Sequence, residues 1–144
     1  MLFILMLLLA LHLPVHASEH EHKMFQIDCD FNKGACTKIL EKSDLEITLD
    51  INPKPLTAMS ELKFSVMINK DKSPVSNAGV TLDLTMPGMY MGKNQILLKP
   101  AEDYIYEGSG MIPICSSGAK TWIAEVNIKI DDIMHSVSYF FEVR

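Results

Sequence analysis

Apolar and polar residues alternate with a period of two over most of the chain from Leu45 onward. Leu45, Ile47, Leu49 and Ile51 are interleaved with Glu46, Thr48 and Asp50. Leu62, Phe64, Val66 and Ile68 alternate with Lys63, Ser65 and Asn69, with Met67 as the one apolar intruder. Val80, Leu82, Leu84 and Met86 alternate with Thr81, Asp83 and Thr85. The same rhythm runs through Trp122, Ala124, Val126, Ile128 and Ile130, and again through Val137, Tyr139, Phe141 and Val143. Weaker runs cover residues 94–99 and 104–111. A strand with one wet and one buried face needs this period, whereas an amphipathic helix needs 3.6. Turn formers separate the runs: Asn52-Pro53, residues 70–74, Asn77 to Gly79, Pro87-Gly88, residues 100–103, residues 116–118 and Asp131-Asp132. The pattern predicts an all-β fold, a seven-stranded immunoglobulin-like antiparallel sandwich over residues 44–144. Trp122 is expected to be a core anchor.

The start of the chain reads differently. Residues 2–13 are almost purely apolar, and Val15-His16-Ala17 places small residues at the −3 and −1 positions of a cleavage site. That layout predicts a signal peptide over residues 1–17, although no Lys or Arg precedes the apolar run. About a dozen apolar residues fall short of the roughly 20 that a membrane-spanning helix needs. An exported, periplasmic protein, soluble from Ser18 onward, is therefore expected. Residues 18–43 read as a polar, His-containing leader followed by an irregular segment, with one helical turn near residues 37–42.

Composition narrows the function classes. A chain of 144 residues supports one domain, and a hydrophobic fraction of 48% fits a folded globule. The net charge of −5 and the lack of any basic stripe exclude a nucleic-acid binder. No paired carboxylates, Ser/His/Asp arrangement, phosphate loop or His-Glu-x-x-His helix is present, so no enzyme is expected.

The chemistry-bearing residues are sulfur ligands and histidines. Met86-Pro87-Gly88-Met89-Tyr90-Met91-Gly92 places three methionines around a Pro-Gly turn at a strand end. Thioethers are soft, uncharged ligands suited to Cu(I), and they need no deprotonation before binding. Met89 and Met91 would point the same way in an extended segment, and the turn would fold Met86 toward them. Met86 also continues the apolar face of its strand, so it is the methionine most readily explained by packing.

Cys115 is either an additional thiolate ligand or a half-cystine. Cys29, Cys36 and Cys115 allow three pairings, and in an oxidising compartment one bond is expected. The pair Cys36–Cys115 is preferred because Cys36 just precedes the first alternating run; Cys29 is then left over, and the two could exchange roles. Cleavage after Ala17 would leave Ser18-Glu19-His20 at the new terminus. The free amine, two amides and the His20 imidazole would then form a square-planar set for Cu(II), with His22 close by. His135 reads as a surface residue.

Three segments together resemble a known family. Gly34-Ala35-Cys36-Thr37, then Thr85 through Gly92, then Cys115-Ser116-Ser117-Gly118-Ala119-Lys120-Thr121-Trp122 are similar, in matching order, to the YtkA-like domain family. The family groups with FixH-like and CopC-like envelope proteins. The chain departs from its usual pattern at Ala35 and Ser116, where proline is customary. The resemblance implies an immunoglobulin-like sandwich and a role in copper handling or heme–copper oxidase assembly. It carries a copper-site role onto Met86, Met89 and Met91. The expected partners are a copper ion and a membrane oxidase assembly or copper-export component. The rival expectation is an envelope interaction module that docks through the same loop without metal; a thiol-redox role for the spare cysteine ranks below both.

Overall fold

The computed structural model describes residues 25–143. The predicted signal peptide, His20 and His22 lie outside the described residues. Among the described residues nine strands form in chain order: β1 (Cys36–Leu40), β2 (Leu45–Asn52), β3 (Glu61–Lys70), β4 (Ser73–Pro74), β5 (Gly79–Thr85), β6 (Gln95–Pro100), β7 (Ile105–Met111), β8 (Thr121–Ile130) and β9 (Ile133–Glu142). Every pairing is antiparallel, and the strand order is β1-β2-β3-β7-β6-β5-β8-β9, with β4 beside β3. The path folds into two facing layers that nearly close on themselves, an all-β sandwich. Strand β6 joins the layers: it pairs with β5 through residues 95–98 and with β7 through Lys99 and Pro100. Chain and neighbour approach closely there, since a Cβ on Gly108 would lie 2.7 Å from the Leu97 carbonyl oxygen.

The seven alternating runs are β2, β3 and β5 to β9. Their inward residues form one core that includes Ile47, Leu49, Phe64, Val66, Leu82, Leu84, Trp122, Val126, Tyr139 and Phe141, all buried. Trp122 is thus the expected anchor. Among the described residues no buried side-chain nitrogen or oxygen lacks a hydrogen-bond partner. The β8–β9 hairpin turns on Asp131 and Asp132, whose φ values of 47° and 65° match a type I′ turn. Asp71 and Lys72, at 50° and 65°, do the same between β3 and β4.

Three expectations are corrected. The strand count is nine rather than seven, because β1 and β4 were not legible in the alternation. Residues 25–43 are not an appendage: Cys29 and Phe31 are buried in the core. The expected helical turn at residues 37–42 is instead strand β1 followed by a 3₁₀ turn, Glu41–Ser43, closed by Asp44 in the left-handed region at φ 51°. Leading into β1, the backbone amides of Asp28 and Cys29 both donate to the Phe140 carbonyl, at 3.0 and 3.1 Å. Phe25 stacks on Phe140 at 5.8 Å and 18°. Lys38 Nζ bonds Asp28 and reaches the Ser138 carbonyl at 2.6 Å, so β1 is tied to the far edge strand β9. The N-terminal segment therefore closes part of the seam between the two ends of the sheet path.

Candidate metal centre

The methionine loop leaves β5 at Thr85 and turns at once. Met89 N–H donates to the Met86 carbonyl at 3.2 Å, and the two residues form an isolated antiparallel bridge. Pro87 and Gly88, with Gly88 at φ +70°, occupy the central positions of this turn, the chemistry of a type II turn. Met86 keeps the phase of β5 and is 4% exposed, within the core. Met89, returned by the turn, is 40% exposed, and Tyr90 at the loop tip is 90% exposed. Met91 is half-buried and packs against the core.

The second half of the site comes from the loop between β7 and β8. Cys115 opens a tight turn in which Gly118 N–H donates to the Cys115 carbonyl at 3.0 Å. Its side chain is 7% exposed. Its thiol donates to Met89 Sδ at 3.6 Å, and Ser117 Oγ lies 3.0 Å from the same sulfur. The Ser117 hydroxyl, followed by the Ser117 amide, holds the Cys115 thiol below its ordinary pKa; burial opposes this, and the Ala119 amide adds to the lowering. These donors favour the thiolate, the form that binds metal.

Two expectations about cysteine are thereby settled differently. The disulfide joins Cys29 to Cys36, with Cα atoms 5.9 Å apart, and Cys115 is the free thiol. The preferred pair Cys36–Cys115 is not formed because Cys36, at the head of β1, faces the N-terminal segment, which packs along β9. Cys115 instead sits at the end of the sandwich where β5 stops and β8 begins.

The sulfurs joined by a hydrogen bond are thus Cys115 and Met89, with Met86 buried in the core and Met91 packed against it. Two sulfurs 3.6 Å apart are closer than two metal–sulfur bonds of about 2.3 Å laid end to end, so a single ion can touch both. The donor set is soft, one thiolate and one or two thioethers, and suits Cu(I) rather than Ca, Mg or Mn. Among the described residues no group of three or more His, Cys, Asp or Glu forms a harder site. His135 lies on β9 opposite Ile128, toward the other end of the strand, and takes no part. Ser117 was missed in the sequence; the Cys-x-Ser spacing was its only signal.

A cleft of about 360 Å³ runs beside the loop, lined by Phe25, Met86, Pro87, Met89, Ala119 and Thr121. A second, of about 340 Å³, is lined in part by Cys115 beside Ile114, Ala119, Lys120 and Trp122. Comparison with family models, with curated proteins and with solved structures finds no match.

Proposed function

We propose that this chain is an exported copper-binding protein, a carrier or buffer of Cu(I) in the periplasm rather than a catalyst. The observation that supports the reading is the contact between Cys115 Sγ and Met89 Sδ at 3.6 Å, beside a hydroxyl that favours the thiolate. Cys115 and Met89 hold the ion, Met86 is a third sulfur at the back of the turn, and Met91 supports the loop. A half-exposed ligand such as Met89 lets an incoming ligand reach the metal, as delivery to an oxidase assembly site or an export component requires.

Titration against a chromophoric Cu(I) chelator tests the proposal. Wild type is expected to hold one Cu(I) per chain. Cys115→Ser and Met89→Leu should each weaken it by about 10-fold or more, on the scale of losing one ligand. Met86→Leu, a volume-conserving swap, should cost less than about 1.5 kcal/mol of stability and a smaller share of affinity. Equal affinities for wild type, Cys115→Ser and a Met86/Met89/Met91→Leu variant would end the copper reading. In that event Tyr90, 90% exposed at the loop tip, favours the rival reading of a docking tip for an envelope protein.

A further inference from the structure

We propose that the end of the sandwich carrying the methionine loop docks on an anionic phospholipid surface, with Tyr90 and Ile114 in the headgroup layer and Lys93 and Lys120 against lipid phosphates. The proposal stands apart from the Cu(I) reading, although it uses the same end of the molecule.

Three connections share this end: residues 53–60 between β2 and β3, residues 86–94 between β5 and β6, and residues 112–120 between β7 and β8. The strand register brings them together. Glu61, at the head of β3, pairs with Met111 at the foot of β7, and Thr85, at the foot of β5, pairs with Ile123 near the head of β8. The first and third connections are joined by Met59 N–H donating to the Ile112 carbonyl at 2.9 Å, the second and third by the Cys115–Met89 contact. Ala119 lines both clefts, one shared with Thr57 and Ala58, the other with Pro87 and Met89. Phe25, Met59, Met89, Tyr90 and Ile114 are all exposed at this end.

Charge decides what covers the surface. The three connections contain Lys54, Lys93 and Lys120 and no Asp or Glu. Lys54 is paired with Asp50 at 2.6 Å, whereas Lys93 and Lys120 are exposed. The carboxylates nearby, Glu61 and Glu142, belong to strands rather than loops, and Asp30 is bridged to Lys33. The opposite end has the reverse sign. Its turns carry Glu41 and Asp44, Asp71, Glu102 and Asp103, and the Asp131–Asp132 pair, against Lys42 and Lys72. Ile39, Ile133 and Met134 are exposed there too, so the ends differ in charge rather than in apolar exposure. Ten-residue strands hold the ends roughly 30 Å apart, several Debye lengths at physiological salt. An anionic surface therefore attracts one end, repels the other and orients the molecule.

The exposed apolar side chains rise from separate loops around two clefts, not from one flat face. A fluid headgroup layer fits so uneven a surface without a matched shape. Tyrosine, apolar in its ring and polar at its hydroxyl, suits that layer, and lysine stems lie along apolar surface while their ammonium groups reach phosphate. Docking in this orientation turns Met89 toward the bilayer.

Flotation of the purified exported protein with vesicles of phosphatidylcholine plus phosphatidylglycerol, and of phosphatidylcholine alone, tests the proposal. Binding is expected to favour the mixed vesicles and to fall as salt is raised. Lys93→Gln and Lys120→Gln should each weaken it about 5-fold, and Tyr90→Ser/Ile114→Ser about 10-fold. Ile133→Ser/Met134→Ser, at the other end, should match wild type. These positions are exposed, and an unchanged urea midpoint checks that each variant folds. Wild-type binding by both the lysine and the Tyr90→Ser/Ile114→Ser variants overturns the proposal, as does a loss confined to Ile133→Ser/Met134→Ser. Absence of binding to either vesicle also overturns it and leaves this end to an acidic protein partner. Cu(I) affinity of the lysine variants in solution should equal that of wild type, so failure of lipid docking and failure of the copper reading are seen separately.

Discussion

At the scale of single residues, the chemistry turns on how Cys115 is kept ionisable. Binding Cu(I) to a thiol displaces a proton, so apparent affinity is insensitive to this group above its folded pKa. It falls toward about tenfold per pH unit below that pKa. Because the Ser117 hydroxyl is the leading influence lowering that pKa, Ser117→Ala should move it up. The metal-free variant should then react with iodoacetamide more slowly at neutral pH, with its rate–pH curve displaced to higher pH; identical curves would remove Ser117 from this role. The methionines of this site were largely legible in sequence. Met86 keeps strand phase and is buried, whereas Met89 lies past the turn and is half-exposed. The Cys115–Met89 contact was not legible, because 26 residues and two strands separate the two. Sequence spacing does not encode which loops share one end of a sandwich. The disulfide was misread for a related reason: treating residues before 44 as outside the fold hides that residues 28 and 29 pack along β9.

At the scale of elements, strands that bury one clean face are readable and strands that cap a seam are not. Strands β2, β5 and β8 alternate cleanly because one side of each meets the facing layer. Strand β1 has no fully buried residue; its Lys38 is half-buried and spans to β9, so its pattern carries no hydrophobic period. Strand β4 has only two residues, too few for any period. The element most dependent on a covalent tie is thus the β1 hairpin with the segment before it. Loop-closure entropy for the short Cys29–Cys36 loop gives a stabilisation of about 2–3 kcal/mol. A Cys29→Ala/Cys36→Ala variant should therefore unfold at lower urea concentration by that amount. Hydrogen exchange at Asp28 and Cys29 would report the loosened segment directly, because their amides bond to Phe140.

The whole molecule is an open path of strands whose two ends must be fastened without a continuous ladder. On the outside, Lys38 and the Phe25–Cys29 segment bridge β1 and β9. Inside, Tyr139 of β9 sends its hydroxyl to the Ile47 carbonyl of β2 at 2.8 Å, a buried bond spanning 92 residues of sequence. Burial, followed by the nearby Asp28 charge, pushes this phenol well above the ordinary tyrosine range, so it remains a donor at neutral and mildly alkaline pH. Tyr139→Phe keeps the ring against Phe31 and removes only the donor. A buried carbonyl left without its partner costs about 1–3 kcal/mol, so the urea midpoint should fall accordingly with an unchanged m-value. The metal end of the sandwich depends instead on the β5 turn and the β7–β8 loop. Cu(I) affinity of the folded variant should therefore equal that of wild type. A loss of affinity matching the loss of stability would mean that closing the seam, rather than the two loops alone, positions the sulfur pair.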